Sequence, residues 1–165
     1  MAHIFQHATA YELVNNAEAY DLGPDVVADI KRDATVTMRV VRASFDNYLK
    51  QGRRFRSWND PATKEDETFD TFMTLAYKFF EQAERGNSGY GVPLKRMMTL
   101  LRTFDAEMLA RYDPGHDTQE AEAYRATMMV AALSHAFGKD LRKDFAELKF
   151  PVSDPIFDQL RHRVK

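Results

Sequence analysis

Over residues 24–51 the apolar side chains Val27, Ile30, Ala34, Met38, Val41, Phe45 and Leu49 return every three or four positions. Only a helix of 3.6 residues per turn gathers such a series onto one face. Pro24, directly after Gly23, suits a first helical turn, where a missing N–H costs nothing, and Gly52 suits the stop. A single amphipathic spine over 24–51 is therefore expected, and whatever covers its apolar face must come from the rest of the chain.

What the rest offers is more helix. Phe69, Phe72, Met73, Ala76, Phe79, Phe80 and Ala83 fit the same spacing after start signals at Asp60-Pro61 or at Thr63 with Asp66, and Gly86 closes the run. Leu94, Met97, Met98, Leu101, Phe104, Met108 and Tyr112 mark a fourth helix that Asp113-Pro114-Gly115 ends. Asp117 with Glu120 reads as the cap of a fifth helix over 118–137, apolar on nearly every side from Met128 onward, so it is expected at the centre. Thr9 with Glu12 is a capping-box pair that predicts a short first helix over about 9–20, and two shorter helices are expected at 140–149 and 156–164. No stretch alternates with period two, no repeat of 20–50 residues is visible, and no Ser/Gly/Pro-rich linker divides the chain. The expected fold is one all-α domain over 1–165, an irregular or orthogonal bundle of five to seven helices around the fifth. Phe72, Phe79, Met97, Leu101, Met128 and Leu133 sit at the centres of periodic apolar faces and are expected in its core.

Composition enters where it excludes something. With 44% hydrophobic and 29% charged residues the chain has enough apolar surface for a packed core. The absence of cysteine removes disulfides, thiolate nucleophiles, iron–sulfur clusters and Cys-based zinc sites. The N-terminal residues lack a basic n-region and an apolar h-region, and the longest apolar run is the six residues 128–133. The expectation is a protein without a membrane segment or classical signal peptide, residing in the cytoplasm or within a viral or nucleoprotein particle.

Catalytic patterns are sparse. The Glu-x-x-His pair of helical di-iron sites does not occur. His3 and His7 have metal-compatible i, i+4 spacing but sit near a chain end with no carboxylate close in sequence, so a docked or frayed segment explains them as well. Ser134 and His135 are adjacent on a helix and point about 100° apart, too divergent for a nucleophile and base pair. His116 between Asp113 and Asp117 fits a turn and cap. Neither a metal nor a cofactor is expected. Ser88, Gly89, Lys95 and Arg96, in and after the glycine-rich loop 86–91, form a possible anion site, although the loop matches no nucleotide motif.

The charge is sorted along the chain. Residues 31–56 carry +6, from eight Lys/Arg against two Asp, while 1–30 carry −5 and 57–94 carry −4. On the spine, Lys31, Thr35, Arg39, Arg42, Asp46, Lys50 and Arg53 recur at steps of three and four, and the row runs into Arg53-Arg54-Phe55-Arg56-Ser57-Trp58. Cations can track phosphates while rings and guanidinium planes stack on unpaired bases. Arg39, Arg42, Lys50, Arg53, Arg54, Phe55, Arg56 and Trp58 are therefore the expected contacts to single-stranded nucleic acid. Opposite charge blocks also favour association between subunits. The combination points to a helical assembly protein, a subunit of a nucleoprotein complex or coat, ahead of an enzyme. The alternatives are a protein-binding regulator or adaptor of phage, plasmid or defence type, and a small helical enzyme or ligand-binding domain. Acids of the flanking helices that neutralised the row inside the monomer would remove its main support.

Overall fold

The computed structural model describes residues 2–56, 65–86, 89–112 and 118–163. Among the described residues all regular structure is helical: α1 Ala2–Asn15, α2 Pro24–Lys50, α3 Glu65–Arg85, α4 Gly91–Leu101, α5 Ala106–Tyr112, α6 Gln119–Phe137, α7 Arg142–Glu147 and α8 Asp154–His162. None is long and apolar enough to cross a membrane.

The spine forms where the periodicity places it, with Gly23 as N-cap in extended conformation and Pro24 in the first turn. Its fully buried positions, Thr37, Val41, Ser44 and Tyr48, are a single narrow row against α1 and α3. α6 is the opposite case. Twelve of its residues are buried, many of them alanines that let neighbours approach closely, and it packs against α3, α4, α5, α7 and α8. Thr118 caps it, its Oγ1 accepting from the Ala121 N–H at 3.1 Å, in place of the expected Asp117, which lies outside the described residues with His116 and Asp113. Gly138 ends it in the left-handed region at φ 61°, a conformation that costs glycine nothing. One cluster of buried side chains draws on all eight helices.

Three expectations are corrected. The first helix is Ala2–Asn15 rather than 9–20, because Ile4, His7 and Ala8 are buried one turn apart and dock the N-terminal segment. Thr9 is thus an interior residue of α1 and caps nothing. The expected fourth helix is two. Thr103 Oγ1 donates to the Leu100 carbonyl at 2.7 Å, and Asp105 Oδ1 accepts from the Met108 N–H at 2.9 Å, starting α5 in a new direction. Of the six expected core residues, Phe79, Met97, Met128 and Leu133 are buried, while Phe72 and Leu101 pack half-buried at the core's edge.

Side-chain hydroxyls tie the C-terminal segment onto α6. Ser134 Oγ donates to the Val130 carbonyl at 2.7 Å and accepts from the Leu141 N–H at 3.1 Å. Thr127 Oγ1 likewise donates to the Ala123 carbonyl and accepts from the Ser153 N–H at 2.8 Å. Ser134 is thus a structural bridge, and His135 beside it is half-buried in the groove between α6 and α8.

A second tie joins the end of α2 to the end of α7. Tyr48 Oη donates to the Leu148 carbonyl at 2.7 Å, Arg53 Nη1 to the Glu147 carbonyl at 2.9 Å, and Lys149 Nζ back to the Gly52 carbonyl at 3.1 Å. Arg53 and Lys149 both have φ of 58°, rare for non-glycine residues, so each helix end turns sharply to make the exchange. Phe55 packs edge-to-face on Phe150 with centroids 4.9 Å apart and completes the joint.

Candidate nucleic-acid interface

At about 100° per residue, Arg39, Asp46 and Lys50 lie roughly 140–180° around α2 from buried Val41. Burial of the narrow row Thr37, Val41, Ser44 and Tyr48 therefore sends the cationic row outward, and Lys31, Thr35, Arg39, Arg42, Asp46 and Lys50 are all exposed. Among the described residues none of the cations Lys31, Arg39, Arg42, Lys50 and Arg54 forms an ion pair. The one pair on α2 among the described residues is local, Arg32 to Asp29 at 3.0 Å with both side chains exposed. On α3, Glu81 is engaged by Lys78 at 2.9 Å and Arg85 at 2.8 Å of its own helix rather than by α2.

The middle of the row borders a cleft. Between α1, α2 and the end of α3 lies a cavity of about 550 Å³ lined by His7, Ala34, Thr35, Met38, Arg39, Arg42 and Glu84. The lining thus combines two guanidinium groups, the apolar Ala34 and Met38, and the acceptor Glu84. Thr35 Oγ1 donates to the Lys31 carbonyl at 2.8 Å, leaving its lone pairs available. His7 is buried against the rings of Phe80 and Tyr90, at 4.6 and 5.3 Å, and its Nδ1 has no hydrogen-bond partner among the described residues. Burial lowers its pKa below the usual 6.5, so the imidazole is neutral at pH 7. The Tyr90 hydroxyl is pushed up to about 12, by burial first and then by Glu84 and Tyr11.

The distal part of the expected surface is arranged differently. Arg53 is exposed but committed to the Glu147 carbonyl, and Phe55 is half-buried on Phe150, so this ring serves the joint with α7. The Arg56 N–H donates to Thr71 Oγ1 at 3.2 Å. Arg54 is exposed, and Trp58 lies outside the described residues. The structure thus gathers Arg39 and Arg42 at one cleft and holds Arg53 and Phe55 in a separate, structural contact.

The expected anion site also divides. Ser88 lies outside the described residues, and Gly89 has φ of 63° beside Tyr11. Lys95 and Arg96 are exposed on α4, and Arg96 lies beside Gly138 at the end of α6, in a cleft that Gly86 of the glycine-rich loop also lines. Sequence reasoning missed His7 and Glu84 as cleft walls. The one signal for His7 was its spacing from Ile4 and Ala8, which places the three on one helical face. Among the described residues no cluster of three His, Asp or Glu side chains could hold a metal ion. No protein-family model, curated protein or solved structure matches this chain.

Proposed function

We propose that this protein binds single-stranded nucleic acid along the outer face of α2, as a helical subunit of a nucleoprotein assembly. The observation that carries the reading is the exposure of Arg39, Arg42 and Lys50 on one face, where Asp46 is the one acid among them and none of the three cations forms an ion pair among the described residues. A row of like charges on one helix face repels itself, and an anionic partner relieves that cost. The cleft beside Arg39 and Arg42 favours a single strand. Its apolar wall and the acceptor Glu84 suit the flat face and N–H edge of an unpaired base, which a duplex keeps hidden.

The test is fluorescence anisotropy of a labelled single-stranded oligonucleotide across a salt series. Binding should weaken linearly with log salt, at about −0.7 per phosphate neutralised. Arg39→Ala combined with Arg42→Ala should make the slope shallower by roughly 1.4. Absence of binding to single-stranded RNA and DNA at low salt overturns the proposal. The competing reading, a protein-binding regulator, is favoured by Val36 and Val40, which are exposed one turn apart beside the row at 49% and 39%. That outcome shows as no nucleic-acid binding together with a mass above the monomer's by light scattering.

A further inference from the structure

A second cleft, on the opposite side of α3 from the spine, is built differently from the first. The last turn of α3, the first turn of α4 and the end of α6 enclose about 420 Å³, within the range of small-molecule sites. Its lining includes the apolar Val92 and Phe137 and the cations Arg85, Arg96 and Lys139. Arg85 is held in place by Glu81 at 2.8 Å, and Lys139 lies 3.8 Å from Asp144. Arg96 forms no ion pair among the described residues, and its guanidinium lies across Gly138, 3.9 Å from where a β-carbon would sit. The floor is Gln82, only 8% exposed, whose Nε2 is buried with no hydrogen-bond partner among the described residues. A buried amide left unpaired destabilises a fold, and a ligand in the cleft toward which the Gln82 amide turned would relieve that cost.

We propose that this cleft binds a nucleoside monophosphate or a closely similar phosphate monoester with a planar, hydrogen-bonding body. The phosphate takes the guanidinium groups of Arg85 and Arg96 and the Lys139 ammonium, which offer forked and point-charge donors. The planar body lies against Val92 and Phe137. The Gln82 amide, turned to present donor and acceptor together, reads a complementary edge such as that of adenine.

The experiment is calorimetric titration of the full chain with adenosine 5′-monophosphate at low salt, with adenosine and inorganic phosphate as separate probes. The expected result is saturable one-to-one binding of the monophosphate, with either fragment at least tenfold weaker. Arg96→Ala, a substitution on an exposed position, should weaken binding at least tenfold. Gln82→Leu should weaken it at least fivefold while raising the thermal midpoint, a pairing that a purely structural glutamine would not produce. Arg39→Ala with Arg42→Ala should leave the titration unchanged, which separates this site from the α2 face. If a 5′-phosphorylated oligonucleotide binds that double variant and Arg96→Ala abolishes the binding, strand ends are the source of the ligand; if only the monophosphate binds, it is the free nucleotide. No saturable binding, equal binding of inorganic phosphate, or binding indifferent to Arg96→Ala overturns the proposal.

Discussion

α2 and α6 are both long helices in one bundle, and they use their length in opposite ways. α2 has 27 residues and buries four of them, whereas α6 has 19 and buries twelve. A helix surrounded on all sides contributes packing and has little surface left to present to a partner. A helix held by one narrow row keeps most of its circumference in solvent, and what it displays there is free to follow another constraint. On α2 that display includes Arg39, Arg42 and Lys50, none of which forms an ion pair among the described residues. Burial is thus concentrated in α6 and its neighbours, and the larger exposed face belongs to α2.

Hollowing out α6 should have the largest effect on stability. Leu133 is 2% exposed, and Leu133→Ala should cost about 2–5 kcal/mol, read from the denaturant midpoint. A midpoint unchanged by that substitution would remove α6 from the core. Thr127→Val keeps the volume and deletes the hydroxyl that accepts from the Ser153 N–H, leaving that donor unmatched. It should cost about 1–3 kcal/mol and loosen the start of α8, detectable as faster amide exchange there.

Acid probes both regions at once, with a smaller effect. His7 beside α2 and His135 on α6 have pKa values lowered below 6.5, each by burial first, with Arg96 and Arg161 adding to the effect at His135. A histidine with a depressed pKa is neutral in the fold while the unfolded chain takes up a proton near pH 6.5. Stability should therefore be full above that pH and decline as pH falls through 6.5 toward the folded-state values. His7→Leu should flatten part of that decline in the thermal midpoint; an unaltered profile would show that His7 is not protonated on unfolding in this window.

The smallest expected effect on stability is the most informative about function. Arg39→Ala with Arg42→Ala should shift the denaturant midpoint by no more than about 0.5 kcal/mol, since both side chains are exposed and neither forms an ion pair among the described residues. A clear loss of stability would mean that these arginines serve the fold, and the division of labour between α2 and α6 would fail.

The helices themselves were largely legible in the sequence. The spine runs over Pro24–Lys50 against an expected 24–51, and α6 over Gln119–Phe137 against 118–137, because apolar periodicity bounded by proline and glycine is a local signal. The break before α5 was not legible, since Phe104 and Met108 continue the period straight through it and the interruption rests on side chains bonding to backbone. The charged row was legible for the same local reason. The fate of Phe55 was not, because its partner Phe150 is remote in sequence. The clefts were illegible as well, since each is walled by segments that only tertiary packing brings together.

The joint between α2 and α7 also bears on how the chain reaches this state. Tyr48 bonds a residue 100 positions away, and Arg53 one 94 positions away. Contacts of such separation carry a large loop-closure cost and form late, after locally closed units such as α2 against α3. During synthesis the end of α2 is made long before Phe150 exists to receive Phe55. The nascent chain therefore exposes the Phe55 ring beside Arg53 and Arg54 for an interval, and folding then covers the ring while both cations stay at the surface.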